Sequence, residues 1–547
     1  MTALLHSIFD PPSTEPRTAS PREAPWTVFL LIVALFTMRV LAADFGAFVE
    51  GDDFSIAAGI AALRNHSIGE LYRYGPQVGY YRLVYGLSAL AGPDLRHIPA
   101  IMVWLSVIAG TVIPIAGLLS LRDELSTRQR RLLFVVLAAN PILWMSSRYG
   151  NTAMLSVSLV VSAFAILSNR PRVLGEIGAL ALFALAIIVR ADAVLATGGI
   201  GMLLWRNHRS FLHAAVRVGL TGSVVAAVFA LFFMTDPRMA QFVHAVEEHL
   251  TNDFPSHFWD YLVWAFSPLV LIFAVFGARE LSLTRRWLAL TLAAWVLPIV
   301  AFYYGAITTP RYFLLLTYPL SIAAAVGIAV AMGPSLTRPA LRAGFALMAA
   351  NLHLAVALGY TIPAHRRSWL TEGSFITHDG PMWTGAFLYK SYVMERPWNA
   401  SVFSPTLSRM GPSGRTLSAM FAMMGGGEAR TAHAVLVVDR GWGYDLHLYA
   451  QLANVKIVSM GSEGALFMKQ TEMEHGGVQL TAINAGAFDT DSTRQIPVKA
   501  GDEFWTVIRS GAPERDVLAR LPQGVRLVPL PAVPNAPLLT RYRVEGA

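Results

Sequence analysis

The stretch Val49–Ser67, VEGDDFSIAAGIAALRNHS, leaves a long apolar run and places two adjacent carboxylates, Asp52 and Asp53, ahead of a weakly amphipathic segment. Acids at the start of a helix satisfy free backbone N–H groups and suit the helix dipole, so capping is the plain account of the pair. Apolar residues at near-helical spacing over 54–63 predict a helix too short to cross a bilayer. What surrounds this stretch decides what kind of chain presents it.

The chain has 547 residues, 54% hydrophobic and only 14% charged, with a mean hydropathy of +0.48. Soluble domains are seldom so apolar. Repeated runs long enough for the hydrocarbon layer make it a mostly α, polytopic membrane bundle. The net charge of +8 sits in Arg residues of short loops between those runs, which excludes a nucleic-acid surface as its explanation. Cysteine is absent, so disulfides, thiolate nucleophiles and Cys-ligated zinc are excluded.

Residues 1–25, with five prolines, predict a disordered cytoplasmic tail. The length of the run 26–48 and Arg39 within it predict an uncleaved first helix rather than a signal peptide. Further runs fall near 98–120, 132–147, 152–168, 173–190, 192–205, 213–234, 261–278, 287–304, 312–332 and 341–361, about eleven spans in all. With the N-terminus inside, inner loops collect Arg122, Arg128, Arg130, Arg131, Arg170, Arg172, Arg206, Arg209, Arg279, Arg285, Arg286 and Arg338. The outer short loops carry single arginines: Arg148, Arg190, Arg238 and Arg311. This is the positive-inside asymmetry, and it places the chain beyond 362 outside an inner or plasma membrane.

Three outer arginines sit in distinctive company: SSRYGN (146–151), VRAD (189–192) and TTPRYFLLLTYPL (308–320). Guanidinium forks match phosphate oxygens, so arginines gathered on one face suit a phosphate or pyrophosphate. Snorkelling to headgroups is the alternative for each, and Asp192 is a ready ion-pair partner for Arg190. The tyrosine-rich ELYRYGPQVGYYRLVYGLSALAG (70–92) predicts a second juxtamembrane helix over 78–91. The outer loop 235–260 holds His244, Glu247, Glu248, His249 and His257, a set able to bind a divalent cation or to line an amphipathic helix.

From 368 to 547 charges of both signs return. HAVLVVD (433–439), VKIVSM (455–460), ALFMKQ (465–470), EFWTVI (503–508) and VRLVPL (525–530) predict strands, with a helix over 443–453, giving an extracytoplasmic α/β domain. MMGGGEAR (423–430) lacks a Walker lysine and reads as a loop.

In this order on one topology, Asp52-Asp53, YGPQVGYYRLVYGLSALAG, VRAD and PRYFLLLTYP resemble the GT-C glycosyltransferases, in the branch of protein O-mannosyltransferases and lipid A aminoarabinose transferases. The resemblance covers about residues 26–335. Asp53 stands where the family has Glu, and the turn Gly-Pro-Gln-Val lacks the usual second Pro. The resemblance implies transfer of a sugar from a polyprenyl-phosphate carrier to an extracytoplasmic glycan, lipid or protein acceptor. Asp52 takes the position of the general base, and Asp53 orients the acceptor or binds a divalent cation. Arg190, Arg311, Arg148 and Tyr312 are the donor-phosphate candidates. Tyr80, Tyr81, His249 and His257 are acceptor or lid candidates, and Asp53, His244 and Glu248 are the candidates for a metal ion. A flippase or transporter of a lipid-linked substrate is the principal alternative, but the inverted repeats it calls for are not seen in the sequence. An envelope scaffold is another.

Overall fold

The structure, a computed structural model, describes residues 25–43, 51–67, 74–147, 150–240, 268–304, 310–331, 412–427, 431–438, 443–461, 470–485, 494–507 and 517–546, with isolated positions between. The helices are α1 (Pro25–Ala42), α2 (Gly51–Arg64), α3 (Val78–Ala91), α4 (His97–Leu119), α5 (Thr127–Ala138), α6 (Pro141–Ser146), α7 (Thr152–Ser168) and α8 (Val173–Val189). They continue as α9 (Thr197–His208), α10 (Phe211–Thr235), α11 (Pro268–Thr284), α12 (Arg286–Tyr304), α13 (Leu314–Ala331), α14 (Pro412–Gly425) and α15 (Gly443–Leu452). Two compact units result: residues 1–44, 73–80 and 102–402, and residues 45–72, 81–101 and 403–547.

In the first unit, among the described residues, four helices are long and apolar enough to cross a membrane: α4, α10, α12 and α13. The shorter α7 and α8 are also strongly apolar. The expected run 132–147 is two helices, because Asn140 and Pro141 break it. The Asn140 side chain accepts from the Ile142 and Leu143 amides and so caps α6. The run 192–205 begins as a 3-10 turn, Ala191–Ala196, before α9. The run 341–361 lies outside the described residues.

Arg39, inside the apolar α1, is buried and donates to the Leu143 carbonyl and to Ser147 Oγ at the end of α6. That pairing is what permits a guanidinium at this depth. Gly277 on α11 and Gly327 on α13 bring two backbones together. A Cβ on Gly277 would meet the Ala323 carbonyl, and one on Gly327 the Phe273 carbonyl. Small residues at such crossings let helices pack by close contact where lipid supplies no hydrophobic drive.

Hydrogen bonds define the two ends of this bundle. At one, Arg206 near the end of α9 bonds the Ser168 carbonyl and Glu124, Trp287 bonds Glu124, and His208 faces Glu176. Arg122, Arg170 and Arg285 cluster with them through Asn169, Asp123 and Gln129. At the other end lie the start of α7, the end of α8, the end of α12 and the start of α13. The arginine-rich end is thus segregated from the end that carries Arg190.

Among its described residues the second unit contains a seven-stranded mixed sheet of order β2-β3-β4-β1-β5-β7-β6. Its strands are β1 (His433–Val438), β2 (Lys456–Gly461), β3 (Gln470–His475), β4 (Val478–Asn484), β5 (Glu503–Val507), β6 (Arg526–Pro529) and β7 (Leu539–Glu545). β1 runs parallel to β4 and β5; the other pairs are antiparallel. Alternate residues of β1 enter different cores: Ala434, Leu436 and Val438 pack with α14 and α15, and Val435 and Val437 with Ile496 and Phe504. The expected strand 465–470 lies mostly outside the described residues, and β3 begins at its last position. β4 and β7 were not anticipated.

The same unit includes α2, which packs along α15. Asn65 and Ser67 donate to the Gln451 side chain at 3.2 and 2.8 Å. Arg64 ties the end of α2 to α3 through Ser88 Oγ and the Gly92 carbonyl, both at 3.0 Å. Gly92 ends α3 with φ of +118°, a conformation suited to glycine.

Candidate functional site

The sequence VRAD folds as the junction between α8 and the Ala191–Ala196 turn. Arg190 is the C-cap of α8 in extended conformation, and Asp192 opens the turn two residues on. That geometry returns Asp192 to Arg190: Nε donates to Oδ1 at 2.9 Å and to Oδ2 at 2.8 Å. Nη1 donates to Thr152 Oγ1 at 3.0 Å, at the first turn of α7. Asn151 caps that helix through the Ala153 amide. Nη2 has no partner among the described residues. Arg190 is 9% exposed, so the charge is held by its neighbours more than by solvent.

Two tyrosines complete the cluster. Tyr303, at the end of α12, donates to Asp192 Oδ2 at 2.8 Å. Tyr312, in the turn that leads into α13, stacks on Tyr303 with ring centroids 5.3 Å apart, and the Arg190 guanidinium lies 5.5 Å from its ring. Three separate stretches of the sequence, at 152, 190–192 and 303–312, thus fix one guanidinium. Its Nε edge is committed to a carboxylate, and one nitrogen is left over to meet another anion.

The structure therefore joins two of the sequence candidates, Arg190 and Tyr312, and makes Asp192 the ion-pair partner of Arg190. Thr152 and Tyr303 were missed. Thr152 follows the singled-out RYGN, and Tyr303 sits in the aromatic end of an apolar run, where an interfacial anchor is the ordinary reading. The Arg311 side chain lies outside the described residues, as do Arg148, His244, Glu248, His249 and His257. Asp52 and Asp53 occupy the first turn of α2, in the second unit; their side chains lie outside the described residues. Tyr80 and Tyr81 are fully buried on α3. Among the described residues no three His, Cys, Asp or Glu side chains converge as a metal site.

No protein-family model matches the chain, and no curated protein matches it by sequence. Solved structures do match in fold. ArnT from Cupriavidus metallidurans bound to undecaprenyl phosphate superposes with a TM-score of 0.57 at 14% identity, covering 95% of this chain and 98% of that one. The apo form of the same protein gives 0.57 at 15% identity, covering 94% and 97%. The apo oligosaccharyltransferase of Archaeoglobus fulgidus gives 0.46 at 11% identity over 78% of this chain and 64% of that one. The ArnT match spans both units. In fold, this chain is similar to ArnT over nearly the full length of both chains.

Proposed function

We propose that the protein is a membrane glycosyltransferase that moves a sugar from a polyprenyl-phosphate carrier to an acceptor on the side of the membrane where Arg190 lies. The observation that carries this reading is the Arg190 cluster. It is a buried guanidinium, oriented by Asp192, Thr152 and two tyrosines, at the arginine-poor end of an ArnT-type bundle. Undecaprenyl phosphate is the ligand of the ArnT structure.

The chemistry follows from these groups. The acceptor oxygen attacks the anomeric carbon as Asp52 takes its proton. The bond from that carbon to the carrier phosphate breaks, and the phosphate leaves with growing negative charge. Arg190 meets that charge, and Arg311 and Arg148 are the further sequence candidates for the same role. Asp192 and Tyr303 position the guanidinium, and Tyr312 covers it. The acidic pair is one base and one helper, since neighbouring side chains seldom span a glycosidic bond as acid and nucleophile must. With the arginine-rich end inside, the active end faces the extracytoplasmic space, where lipid carriers replace nucleotide sugars.

The test is sugar transfer by the purified full chain in nanodiscs, given a panel of radiolabelled polyprenyl-phosphate sugars and envelope acceptors. Asp52→Asn is expected to lose transfer by about 10²- to 10⁴-fold while it still binds carrier. Equal transfer by wild type, Asp52→Asn and Asp53→Asn would reduce the pair to helix caps.

A further inference from the structure

The opposite end of the bundle carries a cavity. Helices α1, α4 and α7 enclose a trough of about 450 Å³, lined along its length by Ile32, Val112, Ala116, Ser162 and Ile166 and closed by Arg122 and Asn169. The volume is in the range of small-ligand pockets. Ile32 and Val112 are themselves partly exposed, so the trough opens sideways, where acyl chains surround a membrane bundle.

Two of its polar side chains, Thr111 and Asn169, are spent on backbone groups. Thr111 Oγ1 donates to the Val107 carbonyl at 2.9 Å. The Asn169 amide donates to the Leu119 and Ala165 carbonyls at 2.8 and 2.9 Å, and its oxygen accepts from the Arg122 amide at 3.1 Å. The Arg122 guanidinium is different. Its Nε is buried with no partner among the described residues. The acids beside it in sequence are engaged elsewhere: Asp123 with Arg170 and Arg206 at 3.8 Å each, and Glu124 with Arg206 at 2.8 Å. An apolar trough that ends in a cation with no carboxylate partner among the described residues asks for an apolar chain that ends in an anion.

We infer that this trough binds an anionic phospholipid, one acyl chain lying between α1, α4 and α7 and the headgroup phosphate on Arg122. Basic pockets between membrane helices at the arginine-rich face recognise such headgroups. The occupant is not the sugar carrier acting at Arg190. The first turn of α7 touches Arg190, and its C-cap, Asn169, holds Arg122. The 17 residues of that helix put the two arginines about 25 Å apart, beyond the reach of one phosphate.

The test is native mass spectrometry of the full chain, titrated in detergent with phosphatidylglycerol, phosphatidylcholine or undecaprenyl phosphate, for wild type, Arg122→Gln and Ser162→Phe. Wild type is expected to retain phosphatidylglycerol over phosphatidylcholine, and Arg122→Gln to lose that preference by about fivefold. Ser162→Phe, which fills the trough, is expected to lose one bound lipid of either kind. Unchanged phosphatidylglycerol retention in Arg122→Gln would overturn the site. Displacement of phosphatidylglycerol from wild type by undecaprenyl phosphate would also overturn it, by making the trough part of the donor site.

Discussion

The Tyr303 hydroxyl donates to the same Asp192 oxygen that the Arg190 Nε grips, so the three residues form one hydrogen-bonded chain from α12 to the end of α8. The carboxylate is fixed on both sides and in turn fixes the guanidinium. The two partners have different worth. Tyr303→Phe removes one hydrogen bond and keeps the ring stacked on Tyr312, so the proposed transfer falls by about tenfold, the scale of a single hydrogen bond. Asp192→Ala strands a nearly buried charge and costs about 3 kcal/mol, read as a lowered unfolding temperature of the purified protein. Tyr303→Phe with unaltered kinetics would make the tyrosine a packing residue only.

The crossing of α11 and α13 depends on the absence of two side chains. Gly277→Val forces a branched side chain onto the Ala323 backbone and is expected to destabilise the bundle by about 3 kcal/mol or to prevent its assembly. Gly219→Ala, on α10 with open space around it, is the control and is expected to change little. Size-exclusion profiles and thermal unfolding in detergent distinguish them.

His447 gives the sheet-bearing unit a defined acid limit. Burial depresses its pKa to about 3, and its Nε2 shares a hydrogen bond with Thr471 Oγ1 at 3.1 Å. The neutral ring is the folded form. Its contribution to stability is complete above the ordinary histidine value of about 6.5 and is lost as pH falls from there towards 3. At pH 5 this one residue withdraws about 2 kcal/mol. Denaturant titrations between pH 7 and 5 should show that slope in wild type and a shallower one in His447→Gln. Equal slopes would remove His447 as its source.

The Gln451 side chain is the polar link between α15 and the end of the helix that carries Asp52 and Asp53. Gln451→Ala removes acceptors for Asn65 and Ser67, and faster amide exchange over 55–67 is expected, with the strands of the sheet unaffected. Protection equal to wild type would show that the contacts left in place, apolar packing and the Asn65 bond to the Gln451 carbonyl at 3.3 Å, suffice to seat α2.

Much of this architecture was legible in the sequence because membrane helices are written in runs of apolar residues and in the placement of arginine. The reading 152–168 coincides with α7, and 78–91 with α3. The break at Asn140-Pro141 was hidden inside a continuous apolar run, where periodicity alone cannot show a capped restart. β4 and β7 escaped because VQLTAIN and LTRYRVE carry polar residues on one face and sit beside turn-rich stretches. At the site, Arg190 and Tyr312 stood out because charge and aromatic motifs mark them. Thr152 and Tyr303 act only through contacts made in three dimensions, and neither residue type is unusual at the end of an apolar helix.

Receipt of a lipid carrier's phosphate by Arg190 is tested by undecaprenyl phosphate binding to the full chain in nanodiscs, wild type against Arg190→Gln and Arg122→Gln. Arg190→Gln is expected to weaken binding by about tenfold or more, because a charged hydrogen bond to phosphate is lost, while Arg122→Gln binds as wild type does. Equal affinity in wild type and a folded Arg190→Gln would contradict the account and leave the Arg190 cluster as a structural ion pair.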